Sequence, residues 1–123
     1  MSWDAELVDV ATGETLAEFN YTHNTNVMAN LVLYPDTDVS RGVGEEVFFP
    51  QNPPWWQHLD GCGGPSGAQL LDRLIAALKA DPAWFRQLNP PNGWGSYDSF
   101  LGKLEEMRLA IPASGAVRWT VTG

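Results

Sequence analysis

His58-Leu59-Asp60-Gly61-Cys62 places an imidazole, a carboxylate and a thiol in one short stretch, and His23 is the other histidine of the chain. Zinc accepts that mixture of ligands. The spacing matches no paired-cysteine zinc signature, so the expectation is that His58 and Asp60 hydrogen-bond within a loop and that Cys62 packs as a small apolar residue. Cys62 with His23 or His58 also has the ingredients of a nucleophile and its base. That frames a small hydrolase or transferase as one alternative, although no nucleophile-elbow pattern accompanies them. Gly61-Cys62-Gly63-Gly64-Pro65-Ser66-Gly67 leads into a helix, where backbone N–H groups attract anions. It lacks the Gly-Lys-Ser/Thr of a phosphate-binding loop and does not follow a strand as a dinucleotide fingerprint would. No cofactor and no metal site is expected.

Two other segments carry recognition chemistry. Asn20-Tyr21-Thr22-His23-Asn24-Thr25-Asn26 is dense in neutral donors and acceptors, which suit turns and caps as well as a polar partner. Asn89-Pro90-Pro91-Asn92-Gly93-Trp94-Gly95-Ser96-Tyr97 combines fixed prolines, permissive glycines and two aromatics with polar tips. Trp94 either turns inward to seal a helix pair or stays outside as a contact surface. The candidate ligand-binding residues are therefore Tyr21, Thr22, His23, Asn24, Asn26, Asn92, Trp94 and Tyr97.

These residues need a scaffold, and 123 residues suffice for one domain with a modest core. Six tryptophans and 44% hydrophobic residues argue for a folded globule. Cys62 is the lone cysteine, so no intrachain disulfide forms. No apolar run approaches the roughly 20 residues that span a bilayer, and the N-terminus lacks the basic and apolar regions of a signal peptide. The expected location is the cytoplasm, with no membrane partner. Residues 1–60 hold ten acids against Arg41 alone (net −9), whereas residues 61–123 hold five acids against six bases (net +1). Scattered bases do not build the patch that duplex nucleic acid requires.

Along the chain, Trp3–Val10 and Thr15–Phe19 predict a β-hairpin around Ala11-Thr12-Gly13-Glu14. Val27–Leu33 predicts a short helix capped by Asn24 or Thr25. Residues 34–66, rich in proline and glycine, read as a long irregular loop whose Val47-Phe48-Phe49 and Trp55-Trp56 must pack on the body. Ser66 and Gln69 suggest a capping box for a helix over 67–80 with Leu70, Leu71, Leu74, Ile75 and Leu78 on one face. Asp81-Pro82 opens a helix to about Leu88, and Ser96 or Asp98 opens another that carries Phe100, Leu101 and Leu104. Ala116–Thr122 alternates as a closing strand. The expected fold is α+β: a small antiparallel sheet, hairpin plus C-terminal strand, covered on one face by three or four helices.

Asn20-Tyr21-Thr22 with Asn24, Met28, and Asn89-Pro90 running through Asn92-Gly93-Trp94-Gly95 to Tyr97 resemble a family of small uncharacterised proteins of actinobacteria and their bacteriophages. The resemblance spans the hairpin, the Leu70–Leu78 helix, the Asp81-Pro82 helix, the Asn-Gly-Trp-Gly loop and the closing strand. An extended loop at roughly 35–64 departs from it. It implies a phage or actinobacterial origin, hence the host cytoplasm if phage-encoded, and it brings no cofactor or catalytic residue. The leading expectation is a non-enzymatic binding module for a host protein or a small polar ligand. The alternative from charge is an acidic decoy that occupies a basic, nucleic-acid-binding host protein. A homo-oligomer would be signalled by an exposed Trp55-Trp56 pair.

Overall fold

The computed structural model describes residues 2–36 and 53–123. Val47-Phe48-Phe49 lies outside the described residues. Strands β1 (Ser2–Asp9) and β2 (Thr15–Thr22) form the hairpin, and β3 (Val117–Thr122) pairs with β1 on its other side. The sheet is antiparallel throughout, in the order β2-β1-β3. Asp9 Oδ1 accepts from the Ala11 and Thr12 amides, which is the local reason the chain reverses there. Strict alternation sends Trp3, Ala5, Leu7, Val117, Trp119 and Val121 to a buried face and leaves Asp4, Glu18, Asn20, Arg118 and Thr120 in solvent.

Five α-helices follow among the described residues, where three or four were expected: α1 (Asn26–Leu33), α2 (Trp55–Leu59), α3 (Gly64–Ala80), α4 (Pro82–Arg86) and α5 (Tyr97–Ala110). The unforeseen one is α2, which lies inside the stretch read as irregular. Three boundaries also moved. Helix α3 starts at Gly64 with Pro65 in its first turn, so Ser66 sits inside the helix and the expected capping box does not form. Proline suits that turn because no amide donor is needed there. Thr22 caps a 3-10 turn, His23–Thr25, through the Asn24 amide, and α1 continues directly from that turn without a side-chain cap. Helix α4 stops at Arg86, short of Leu88. The caps at Asp81 and Ser96 are as expected, each side chain accepting from the amide three residues on.

The core lies between the sheet and the helices. Trp55 packs edge-on to Trp3 at 5.2 Å between ring centroids and lies 5.9 Å from Phe100. Two buried asparagines of α1 hold it: Asn30 Oδ1 accepts from the Trp55 amide and Asn26 Oδ1 from its indole Nε1, both at 2.9 Å. Each buried polar group thereby acquires a partner that water cannot supply. Trp119 rests on Gly67 of α3, where an added Cβ would come within 2.7 Å of the indole. No described helix is long and apolar enough to cross a membrane.

Candidate functional site

The 3-10 turn after β2 and the loop before α5 meet. Tyr21 reaches across from β2: its hydroxyl bonds Ser99 Oγ, accepts from the Ser96 amide at 3.2 Å, and its ring stacks on Phe100 at 5.8 Å. Thr22 supplies the cap below, and its methyl faces Gly95. Asn24 Nδ2 donates to the Trp94 carbonyl at 3.3 Å, and the Trp94 amide donates to Asn92 Oδ1 at 2.9 Å. Gly93 and Gly95 hold φ of +76° and +89°, the left-handed conformations that carry the loop past the hairpin end. Trp94 is thus pinned at its amide and its carbonyl while its side chain is 70% exposed. Of the two readings of Trp94, the outward one holds.

Two candidate residues turn the other way. Tyr97 is 2% exposed, donates its hydroxyl to the Leu78 carbonyl at 2.8 Å and carries the Arg86 guanidinium over its ring at 5.0 Å. Asn26 is buried and committed to Trp55. Both are internal ties, because a buried side chain already bonded within the chain has nothing to offer a ligand. His23 packs its ring against Trp56 at 6.2 Å. The cluster that faces outward is therefore Thr22, Asn24, Asn92 and Trp94, with Tyr21 beneath. Ser99 was missed, although Ser96-x-x-Ser99 at a helix start is a visible signal for two hydroxyls on one turn. Across this region Arg86 clamps Asp98 through Nη2 and Nε, at 2.9 and 3.3 Å. That guanidinium holds the Asp98 carboxyl below its usual range, and the carboxylate in turn raises Arg86.

The His58–Cys62 stretch has a different task. Gly61 N–H donates to the Trp119 carbonyl and the Trp119 amide to the Cys62 carbonyl, each at 2.8 Å, while Gly63 bridges Arg118. Asp60 Oδ1 accepts from the Val121 amide at 2.9 Å. The segment covers the outer edge of β3, whose amides would otherwise be open. Cys62 Sγ donates to the His58 backbone carbonyl at 3.1 Å, and the His58 ring bonds the Tyr34 hydroxyl. Burial raises Tyr34 above the usual phenol range. The Cys62 thiol and the His58 ring thus each bond elsewhere, with no side-chain hydrogen bond between them. Among the described residues no three His, Cys, Asp or Glu side chains gather as a metal site. Asp60→Ala is expected to cost about 1 kcal/mol by orphaning the Val121 amide, with Asp60→Asn near neutral because an oxygen acceptor remains. Thermal scans of wild type and both variants check this, and added zinc should leave the wild-type melting temperature unchanged in them; a rise would reinstate a metal there.

Among the described residues, the acids of the first half are divided among several tasks. Asp9 holds a turn and Asp60 holds β3, whereas Asp4, Glu6 and Glu18 share the open face of the sheet. Trp55 is buried at the centre of the core and Trp56 is half-buried, so the pair is not an exposed dimer surface. No family model, curated protein or solved structure matches the chain.

Proposed function

We propose that the chain is a non-enzymatic binding module that recognises a protein partner, with Trp94 as its anchor. The observation that carries this is an indole left in solvent on a backbone fixed at both ends. Burying a free tryptophan releases a large apolar area, and pre-fixing its backbone lowers the ordering cost of association. Tryptophans in that position dominate the energetics of protein interfaces. The polar side chains favour a protein over a small polar ligand. One amide group of each asparagine, Asn92 Oδ1 and Asn24 Nδ2, is spent on the Trp94 backbone, which leaves the exposed indole as the largest outward surface of the cluster. The resemblance to proteins of actinobacteria and their phages makes a host protein the partner of choice.

Quantitative affinity capture from an actinobacterial lysate tests the proposal, comparing wild type with Trp94→Ala. A partner retained by the wild type and lost by the variant is expected, with a melting temperature within about 2 °C because exposed substitutions barely alter stability. Equal capture by both proteins would refute the role of Trp94.

A further inference from the structure

The two edges of the sheet are treated differently. Trp119 N–H and C=O point away from β1 and are taken by Cys62 and Gly61, so the β3 edge is closed. At the hairpin, Asp9 N–H bonds the Glu14 carbonyl and Val10 N–H bonds the Ala116 carbonyl, which fixes the parity: odd residues of β1 face β2 and even residues face β3. Tyr21, Phe19 and Ala17, paired with Trp3, Ala5 and Leu7, consequently spend their backbone groups on β1. The backbone N–H and C=O of Glu18 and Asn20 point outward, and among the described residues nothing bonds them. An open edge is a template for another strand.

Its side chains specify what that strand would be. On the solvent face Glu18 stands directly opposite Glu6, and Asp4 stands opposite Asn20, whose Nδ2 donates to it at 2.7 Å. Two carboxylates in register repel each other. On the other face the neighbours are Ala17 and Phe19, only half-buried, with the Phe19 ring 6.0 Å from Trp119. We propose that β2 is a docking edge for an extended segment of a partner protein in which basic and apolar residues alternate. The residue opposite Glu18 would exchange both backbone bonds with it and lay a Lys or Arg beside the Glu18–Glu6 pair. Its two neighbours would project to the other face and cover Ala17 and Phe19. A second copy of this chain does not fit, since pairing β2 with itself would bring Glu18 near its own counterpart. The surface is distinct from the Trp94 tip, and Trp94→Ala leaves it intact.

An acetylated and amidated octapeptide alternating lysine and valine serves as the probe, followed by backbone amide NMR and hydrogen exchange. Exchange at the Glu18 and Asn20 amides is expected to slow at least about tenfold at saturation, as newly formed strand bonds protect them, with Trp119 unchanged. Glu18→Lys should weaken peptide affinity by about tenfold or more, because one attraction becomes a repulsion. The same substitution turns the Glu6 contact attractive and is expected to raise the melting temperature, so lost binding would not reflect lost folding. Unchanged exchange at Glu18 and Asn20 would overturn the proposal. So would equal binding of a glutamate–valine octapeptide, or a dimer through β2 without peptide in sedimentation velocity. Trp94→Ala should bind the octapeptide as wild type does, which separates this edge from the anchor.

Discussion

Gly95→Ala is expected to destabilise the fold by about 3 kcal/mol, adding backbone strain at positive φ to steric crowding. An alanine Cβ at this position would lie 2.7 Å from Thr22 Cγ2, 3.1 Å from Thr25 Cγ2 and 3.2 Å from the Tyr21 hydroxyl. Thr25 is fully buried and Tyr21 is held by Ser96 and Ser99, so neither side can give way cheaply. Gly93 provides the control. It shares the positive φ, yet a Cβ there would meet nothing within 4 Å. Gly93→Ala should therefore cost only the backbone part, about 1 kcal/mol. Urea denaturation of the two variants separates the terms, because the difference between them is the crowding alone. Equal losses would mean that the loop does not press on the hairpin end. Gly95→Ala should also release the Trp94 backbone from Asn24, so binding to the partner should fall even where the protein remains folded.

Trp55→Ala should be the most damaging core substitution, at about 4 kcal/mol, since a fully buried indole is removed from between Trp3 and Phe100. A loss of that size is a large fraction of the 5–15 kcal/mol that typically separates folded from unfolded domains. Trp55→Phe isolates the polar part. The ring is smaller but aromatic, and the Asn26 Oδ1 loses its indole donor while the bond from the Trp55 amide to Asn30 is retained. An unsatisfied buried acceptor costs about 1–3 kcal/mol. Trp55→Phe combined with Asn26→Leu should recover about 1 kcal/mol relative to the sum of the single changes, because the orphan is then removed with its partner. Strict additivity would show that Asn26 and Trp55 are neighbours without being coupled.

Much of the scaffold was legible because single residues carry unambiguous local physics. Asp81 before Pro82 and the alternation of Val117–Thr122 each point to one structure, and of the two caps offered for α5, Ser96 is the one used. The Ser66 capping box failed because Pro65 suits a helix start as well as Ser66 suits a cap, and both cues sit within two residues. Helix α2 was hidden for a different reason. Five residues carry too little periodicity to announce a helix, and Trp55-Trp56 gives no hint of which indole goes inward. That choice is made by Asn26 and Asn30, distant in sequence. The Tyr21–Asn26 and Asn92–Tyr97 segments were expected to form one site on their composition alone, and they do meet, through a contact that depends on how β2 and α5 are placed. The composition of those segments marked them as special. It did not reveal that Tyr97 and Asn26 serve the interior whereas Trp94 stays outside.

The most direct measurement is 19F NMR of the chain labelled with 5-fluorotryptophan, titrated with the partner recovered by capture. Six tryptophans give six resonances, and Trp94→Phe assigns the one at the loop tip. With Trp94 as the anchor, its signal is expected to shift from a solvent-exposed to a buried position as the complex forms, while Trp3, Trp55 and Trp119 keep theirs. A complex that forms with the Trp94 resonance unmoved would contradict that role.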